Sequence, residues 1–402
     1  MSQPFAPDLV FVNSHAHPDS NAYTAFSFKI KPDISVYRRS DFIASKCISD
    51  SSLVEVIVEF KWLDRDDPFG DASGDGPINV ASGGDPIHVA SGGDPINVAS
   101  GDDPFKEASG DDCLIEASGD DLLIEASGDD PLIEASEAIK EAQGFCRNAD
   151  SAFDTLGQIT SYAAAQLGSQ FRTHAYSVLI VREGARILRW DRSGTVVTEL
   201  IDYNTVPHLV EFFRRYSLAP PAMRGVDQSV SHPTPTEAAV ARKSLGLGRT
   251  IPLVKLEIPR SDGYSYFITP TPIATPYTPP GRATRVFTAY DIAGERNVLL
   301  KDSWRVDLDD IQPEGVSYDI LLKANVRNIP RCLASGDIGT DEYHATITKD
   351  YITAAWNSGS ATHFVPHRHY RLVLDVIGRP LMGFNSSREM VTAVRDALIG
   401  EF

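Results

Sequence analysis

A nine-residue repeat divides the sequence and limits which parts of it can fold. Seven consecutive units fill Ala72–Glu134, and each begins with ASG followed by Gly or Asp. Segments rich in Gly, Asp and Pro bury too little apolar surface to offset the entropy lost on ordering. We therefore predict that residues 63–137 form a disordered acidic linker and that the flanking sequences build the folded domains.

The repeat has a second interpretation as a calcium-binding β-roll, whose nine-residue units need paired glycines and a well-placed Asp. Only two of the seven units contain Gly-Gly, and none has the order Gly-x-Gly-x-Asp. Disorder is therefore the favoured interpretation. The later units contain Leu-Ile-Glu, which permits weak strand pairing between units.

The linker also carries the net charge of the chain. The sequence has 55 acidic and 37 basic residues. Of these, 20 acidic and 2 basic residues lie in Asp64–Glu137, which leaves 35 acidic and 35 basic residues elsewhere. The folded parts are thus near neutral. Because nucleic-acid binding requires a basic surface, we do not expect a nucleic-acid partner.

Features of membrane and secreted proteins are missing from the sequence. No apolar run reaches the length of a membrane span, and the first residues lack the basic and apolar regions of a secretion signal. The four cysteines are far apart and form no CxxC pair. These features predict a cytoplasmic or nuclear protein with reduced cysteines and no membrane partner.

Residues 1–62 and 138–218 are predicted to form one α/β domain, interrupted by the repeat. Alternating and β-branched segments predict strands, and apolar residues at helical spacing predict helices. The predicted strands are Ala25–Arg38, Leu53–Trp62, Tyr176–Val181, Ala185–Asp191 and Thr195–Ile201, and the predicted helices are Thr155–Arg172 and Val206–Tyr216. The segment between Tyr176 and Asp191 is expected to form a hairpin.

Three short motifs in this domain occur in an order typical of metal-dependent nucleases. Asp33 ends one predicted strand, Glu59 and Lys61 end the next, and Gln158 and Tyr162 lie on the following helix. This order resembles the PD-(D/E)xK nucleases and their restriction-endonuclease-like fold. The resemblance implies that Asp33 and Glu59 hold Mg²⁺, while Lys61 places the attacking water or the phosphate. A fold that has lost nuclease activity remains the alternative.

Residues 219–402 are predicted to form a second domain, an antiparallel sheet accompanied by a helix that carries a glutamate directed at the sheet. The predicted elements are strands at Ile251–Ile258, Tyr264–Ile268, 286–291, the segment ending at Trp304 and Tyr370–Ile377, and helices after Pro313 and at Ser387–Leu398. A turn at Gly281–Arg285 precedes the strand that begins at Val286. The order turn, strand, strand lysine, helix glutamate and hinge strand is that of the ATP-binding lobe of protein kinases.

Lys301 and Glu314 are the central pair of this predicted lobe. A lysine held on a strand can contact the α- and β-phosphates of ATP, and a carboxylate from the next helix keeps it oriented. Leu374 occupies the gatekeeper position before the hinge. The residues that would contact ATP by this resemblance are Gly281, Arg282, Thr284, Lys301, Glu314, Asp375 and Ile377.

Longer stretches of the sequence resemble the fungal-type protein kinase family. The stretches are PDISVYRR, EFKW, DPF, GQITSYAAAQLGSQFRTHAYSVLIV, RWDRSG, GRATRVF, VLLKDSWR, PEG, NIPR and HYRLVLDVIGRPL. They span nearly the whole chain outside the repeat. The resemblance implies a restriction-endonuclease-like domain followed by a kinase N-lobe, with ATP and Mg²⁺ as cofactors. It also implies transfer of phosphate to Ser or Thr of a protein substrate.

The sequence departs from a complete kinase at two essential motifs. A protein kinase needs an HRD-type loop, whose Asp accepts the substrate proton, and a DFG-type Asp that holds Mg²⁺. Neither tripeptide occurs here. We therefore expect that the chain stops before the kinase C-lobe, binds ATP weakly, has protein partners of unknown identity and is inactive as it stands. Two alternatives are a non-catalytic interaction or scaffold protein and a Mg²⁺-dependent PD-(D/E)xK-type nuclease.

Overall fold

The computed structural model describes residues 5–19, 29–45, 48–70, 87–91, 145–147, 149–260, 263–272, 278–339, 344–354, 364–378 and 383–400. These residues form a mixed α+β structure with two seven-stranded sheets and six helices, which confirms the predicted α+β class. No helix in these ranges is long and apolar enough to cross a lipid bilayer.

The first sheet is built mainly from the N-terminal half of the chain. Its strands are β1 (Leu9–Asn13), β2 (Ile34–Arg38), β3 (Val56–Phe60), β4 (Ile87–Ser91), β5 (Ala175–Ile180), β6 (Ala185–Asp191) and β7 (Gly194–Thr198). They lie in the order β1-β2-β3-β5-β6-β7-β4. The predicted hairpin of β5 and β6 is confirmed by their antiparallel register.

Three helices accompany this sheet, and the longest makes its one parallel pairing possible. They are α1 (Arg39–Ser45), α2 (Asp150–Ser169) and α3 (His208–Leu218). Strands β3 and β5 are parallel, so the chain must cross over between them, and α2 lies on this crossover. Ile159, Ala163 and Leu167 of α2 recur at helical spacing and are buried in the core below it.

Two parts of the predicted linker depart from the predicted disorder. In residues 63–70, Phe69 is buried in the core and Asp67 lies 2.8 Å from Arg186. Ile87–Ser91 pairs with β7 at the edge of the first sheet. An exposed sheet edge offers unpaired backbone groups, and a short extended segment can satisfy them without a core of its own. The expectation for residues 71–86 and 92–137 lies outside the described residues.

The second sheet contains the strands predicted for the kinase-like half and two that the sequence did not predict. Its strands are β8 (Val230–Ser231), β9 (Leu253–Arg260), β10 (Gly263–Pro270), β11 (Arg285–Asp291), β12 (Arg296–Val306), β13 (Cys332–Asp337) and β14 (His367–Leu374). The order is β13-β14-β12-β11-β10-β9-β8, and all neighbours are antiparallel. The short β8 and the edge strand β13 are the additions.

Three further helices belong to this half: α4 (Pro235–Leu245), α5 (Glu314–Lys323) and α6 (Ser387–Gly400). Helix α4 was not predicted. It begins with a capping box in which the Thr234 hydroxyl accepts from the Glu237 N–H and the Glu237 carboxylate accepts from the Thr234 N–H. Its buried Ala241 packs with Leu253, Ile268 and Tyr290 of the sheet. The predicted domain boundary at residue 219 falls between α3 and β8.

A buried ionic cluster around Glu55 holds the first sheet to the chain that follows α2 and α3. Arg172 Nη2 lies 2.8 Å from Glu55 Oε2, and Arg224 Nη1 donates to Glu55 Oε1. The Tyr216 hydroxyl donates to Glu55 Oε2 at 2.7 Å. Burial opposes the charge on Glu55, but the two guanidinium groups outweigh it and hold the pKa of that carboxyl below its usual value.

Replacing Glu55 by Gln is therefore expected to destabilise the fold strongly. The substitution leaves Arg172 and Arg224 buried without a counter-charge, which costs about 3–5 kcal/mol of unfolding free energy. Denaturant unfolding measures the change. Glu211→Gln is the matched control, because Glu211 also binds two arginines, Arg214 and Arg215, but on the solvent-facing side of α3. Equal losses for the two variants would contradict this assignment.

Candidate functional site

Lys301 and Glu314 form the ion pair that the sequence predicts. Lys301 lies within β12, between Val286 of β11 and Leu372 of β14. Glu314 is the first residue of α5, directly after Pro313. The Lys301 Nζ lies 2.7 Å from Glu314 Oε2, and the two side chains are 25% and 31% exposed. The lysine is therefore held in position and still reaches solvent.

A buried apolar cluster and one exposed apolar side chain adjoin this ion pair on the same face of the sheet. Leu372 and Leu374 of β14 are buried and pack with Leu299 of β12 and Tyr318 of α5. Val286, the direct cross-strand neighbour of Lys301, is 57% exposed. Sequence analysis did not single out Val286, although the alternating pattern of β11 could have placed it opposite the lysine. An exposed apolar side chain beside a cation suits a ligand with a flat ring and a phosphate chain.

The turn at Gly281–Arg285 brings a second cation to Glu314. Gly281 has a φ of 102°, which favours glycine, and its N–H donates to the Arg192 carbonyl at 2.8 Å. The Arg282 carbonyl accepts from Trp304 N–H, also at 2.8 Å. Arg282 Nη2 lies 3.9 Å from Glu314 Oε2. Thr284 follows on the exposed side of the turn.

The predicted hinge lies directly after β14. Leu374, the gatekeeper position, is buried at the end of that strand. Asp375 N–H donates to the Arg331 carbonyl, and the Asp375 carboxylate accepts from Arg331 N–H at 2.8 Å. Ile377 is 43% exposed. Because its N–H is already used, Asp375 can offer an adenine base its carbonyl rather than its N–H.

The structure also brings together the residues of the nuclease-like motif. Asp33 was predicted to end a strand, but it lies just before β2. The strand begins after Pro32 because proline has no N–H to donate to a neighbouring strand. Its Oδ2 accepts from Phe60 N–H at 2.9 Å. Lys61 Nζ lies 3.0 Å from Glu59 Oε1 and donates to Gln158 Oε1 at 2.6 Å.

The hydrogen bonds of this group continue along α2. Gln158 Nε2 lies 2.7 Å from the Tyr162 hydroxyl, which donates to the Lys31 carbonyl at 2.8 Å. Glu59 Oε2 is buried and has no hydrogen-bond partner among the described residues. An orphaned carboxylate oxygen beside Asp33 suits a divalent cation, so these two residues fit the Mg²⁺ site that the nuclease resemblance implies.

A third polar group, which sequence analysis missed, lies between β12, β14 and the segment after α3. His369 Nε2 lies 2.7 Å from Asp302 Oδ1, and its Nδ1 lies 3.0 Å from His344 Nδ1. Asp227, His344 and His369 are all buried, with possible ligand atoms within 4.8 Å of one another. Arg371 donates to both Asp227 and Asp302. No spacing rule joins residues so far apart in sequence.

Comparison with known proteins identifies one family. A family model described as fungal protein kinase matches residues 135–401, more than half of the chain. The matched range includes the whole second sheet with Lys301 and Glu314. Strands β1, β2 and β3, which carry Glu59 and adjoin Asp33, precede it. A search of the curated proteins and a search of the solved structures found no match.

The burial of Glu59 has a measurable consequence for the dependence of stability on pH. Burial raises the pKa of the Glu59 carboxyl, the Lys61 ammonium opposes the shift, and the Asp33 carboxylate adds to it. A raised folded-state pKa contributes stability below the unfolded pKa, and this contribution is lost as pH rises through the folded pKa. The stability of the wild type relative to Glu59→Gln should therefore fall as the pH rises above about 4, the ordinary pKa of a glutamate.

Denaturant unfolding at a series of pH values, without added metal, checks this dependence. Glu183→Gln is the control, because the Glu183 side chain is 64% exposed. Its stability relative to the wild type should change much less over the same range. A difference between wild type and Glu59→Gln that stays constant or grows with pH would show that Glu59 is not held in the environment described.

Proposed function

The chain belongs to the fungal protein kinase family, and we propose that its second sheet binds ATP at Lys301 and Glu314. The observation that carries the proposal is the 2.7 Å ion pair between Lys301 Nζ and Glu314 Oε2. In a kinase the same pair orients the lysine toward the α- and β-phosphates. Family membership supports a kinase-like function, and the ion pair points to nucleotide binding.

The neighbouring residues form two parts of the same face, one for the phosphates of the nucleotide and one for its base. Arg282, whose side chain is 56% exposed, adds a second cation near Glu314 for the phosphates. The Thr284 hydroxyl is available to the phosphates from the same turn, and Gly281, whose N–H donates to the Arg192 carbonyl, fixes the path of that turn. The base would lie against Val286 and reach the Asp375 carbonyl and the Ile377 backbone. Because solvent reaches this face, we expect weak affinity.

We further propose that the 402-residue chain transfers no phosphate. Transfer requires a carboxylate that accepts the substrate proton and one that holds the metal at the phosphates. The sequence contains neither HRD nor DFG. Its nearest likeness, His367-Arg368-His369, lies in β14, where His369 is buried and bonded to Asp302. The ion pair can thus position ATP without supplying the groups that accelerate its reaction.

A second candidate function, Mg²⁺-dependent cleavage of nucleic acid, rests on the group around Glu59. Its Oε2 is buried without a partner, Asp33 is close to it, and Lys61 contacts it. Asp33 and Glu59 would hold a divalent cation, which would supply an activated water for attack on a phosphodiester. Lys61 would orient that water or the phosphate, while Gln158 keeps the Lys61 ammonium in place.

The ATP proposal predicts that Lys301→Met weakens the binding of Mg·ATP by about tenfold or more. The substitution removes the cation that faces the phosphates. Lys255→Met is a matched control, because Lys255 is also a half-buried strand lysine bonded to a helix glutamate, Glu237, at 2.9 Å. Calorimetric titration of wild type, Lys301→Met and Lys255→Met with Mg·ATP measures the difference.

Equal weakening by Lys301→Met and Lys255→Met would contradict the assignment of the site. Absence of Mg·ATP binding by the wild type would favour the non-catalytic scaffold. The same proteins, incubated with labelled Mg·ATP and a general protein substrate, should show no transfer above background. Transfer that Lys301→Met abolishes would overturn the proposed inactivity.

The nuclease proposal predicts cleavage of single- or double-stranded DNA in Mg²⁺ or Mn²⁺ that Glu59→Gln and Lys61→Met both abolish. Glu59→Gln removes a metal ligand, and Lys61→Met removes the cation that orients the reacting groups. Lys301→Met should cleave as the wild type does, since Lys301 lies in the other sheet. Lack of cleavage by the wild type, or cleavage that survives Glu59→Gln, would remove this function.

A further inference from the structure

A small cavity with several arginines lies where the two sheets meet. Arg192 follows β6 of the first sheet, Arg285 begins β11 of the second, and Arg172 follows α2. All three line the cavity, and their side chains are buried. The cavity has room for about one water-sized particle.

Arg192 and Arg285 are bound differently from the other buried arginines nearby. Arg172 and Arg371 each lie 2.8 Å from a buried carboxylate, of Glu55 and Asp227 respectively. In the described part of the chain, Arg192 and Arg285 have no carboxylate within ion-pair distance. Their guanidinium groups donate to main-chain carbonyls instead, including that of Leu167 near the end of α2, which both contact.

Each of these two arginines also has an N–H group without a partner. The Nε atoms of Arg192 and Arg285 are buried and have no hydrogen-bond partner among the residues that the structure describes. Buried N–H groups are nearly always paired with protein or with a bound particle. Two such donors, on residues that line one cavity, indicate an acceptor there.

The balance of buried charge at the junction points to a negative acceptor. Five arginines are buried there, Arg172, Arg192, Arg224, Arg285 and Arg371. Four buried carboxylates lie among them, Glu55, Asp191, Asp227 and Asp302. Five cations against four anions leave an excess of one positive charge, and buried charge requires compensation.

The pKa shifts agree with this balance. Burial lowers the pKa of Arg192 to about 9, and the neighbouring Arg285 guanidinium adds to the shift. Burial also lowers the pKa of Arg285. For Arg172 burial acts in the same direction, but the Glu55 carboxylate outweighs it and raises the pKa. Nearby carboxylates, that of Asp302 foremost, oppose the shifts of Arg192 and Arg285 but do not outweigh burial, so these two arginines are compensated less than Arg172 is.

A metal ion fits the same cavity less well. Asp227 and His369 line it and, with His344, could form a three-residue metal site. Arg371 already donates to Asp227, and a divalent cation would increase the excess of positive charge. An anion decreases it.

We propose that the cavity between Arg192 and Arg285 binds a monovalent anion of chloride size. The anion accepts hydrogen bonds from both Nε–H groups and thereby joins the first sheet to the second. Phosphate and sulfate are too large for a space of this size. Because the site exists only in the folded chain, the anion stabilises the fold in proportion to its occupancy.

Thermal unfolding of the full chain in sodium gluconate tests the proposal, with chloride or bromide exchanged for gluconate at constant ionic strength. We expect a saturable rise in melting temperature with either halide and no matching rise with sulfate. Arg285→Met should lose the halide dependence. Arg249→Met should retain it, because Arg249 is an exposed arginine elsewhere on the chain.

A direct measurement covers the case in which Arg285→Met fails to fold. Crystals of the wild type grown in bromide should show an anomalous-scattering peak between the Nε atoms of Arg192 and Arg285. Absence of both the peak and the halide dependence would overturn the proposal and leave water as the acceptor. A rise with sulfate equal to that with chloride would indicate a general salt effect and would also overturn it.

Discussion

The buried guanidinium of Arg371 determines how the second half of the molecule is assembled. It is fully buried in β14 and bonds Asp302 of β12, the Glu257 carbonyl of β9 and Asp227 of the segment after α3. A buried cation is tolerated only when carboxylates and other acceptors surround it. Burial opposes the charge of Asp302, but His369 and Arg371 outweigh it, so the pKa of that carboxyl lies far below its usual range. This network therefore fixes the register of β12 against β14. It also holds the segment after α3, which carries Asp227, against the second sheet.

The network also explains why the candidate ATP site faces the way it does. Lys301 and Asp302 are adjacent on β12, so their side chains point to opposite faces of the sheet. Asp302 binds Arg371 on the buried face, and Lys301 meets Glu314 of α5 on the other. The buried ion pair between Asp302 and Arg371 thus fixes the position of β12, the strand that carries Lys301. In contrast, the Glu59 group depends on the parallel pairing of β3 with β5 and on α2 above it, and it shares no contact with Lys301. The two candidate sites can therefore be tested independently.

The sequence was sufficient to predict the groups of side chains whose members lie on consecutive elements. Lys301 and Glu314, or Glu59 and Lys61, could be paired because strand alternation and the next helix start already place them together. Helix α4 was missed although Thr234 and Glu237 form a capping box, because Ala241 is its one buried residue and its sequence has no strong apolar stripe. The partnership of Asp227 with Arg371, 144 residues apart, follows from no local pattern. Such contacts depend on how the two sheets pack, which periodicity does not encode. The unpaired Nε groups of Arg192 and Arg285 are hidden from the sequence for the same reason.

Amide hydrogen exchange with and without Mg·ATP tests the central claim most directly, because it locates a bound nucleotide without relying on catalysis. The claim is that the face formed by the turn at Gly281–Arg285, β12 and the start of α5 binds the nucleotide. It predicts slower exchange in residues 281–286 and in the first turn of α5, with little change in the strands of the first sheet. Unchanged exchange in these segments at saturating Mg·ATP, or protection confined to the surroundings of Glu59 and Gln158, would contradict it.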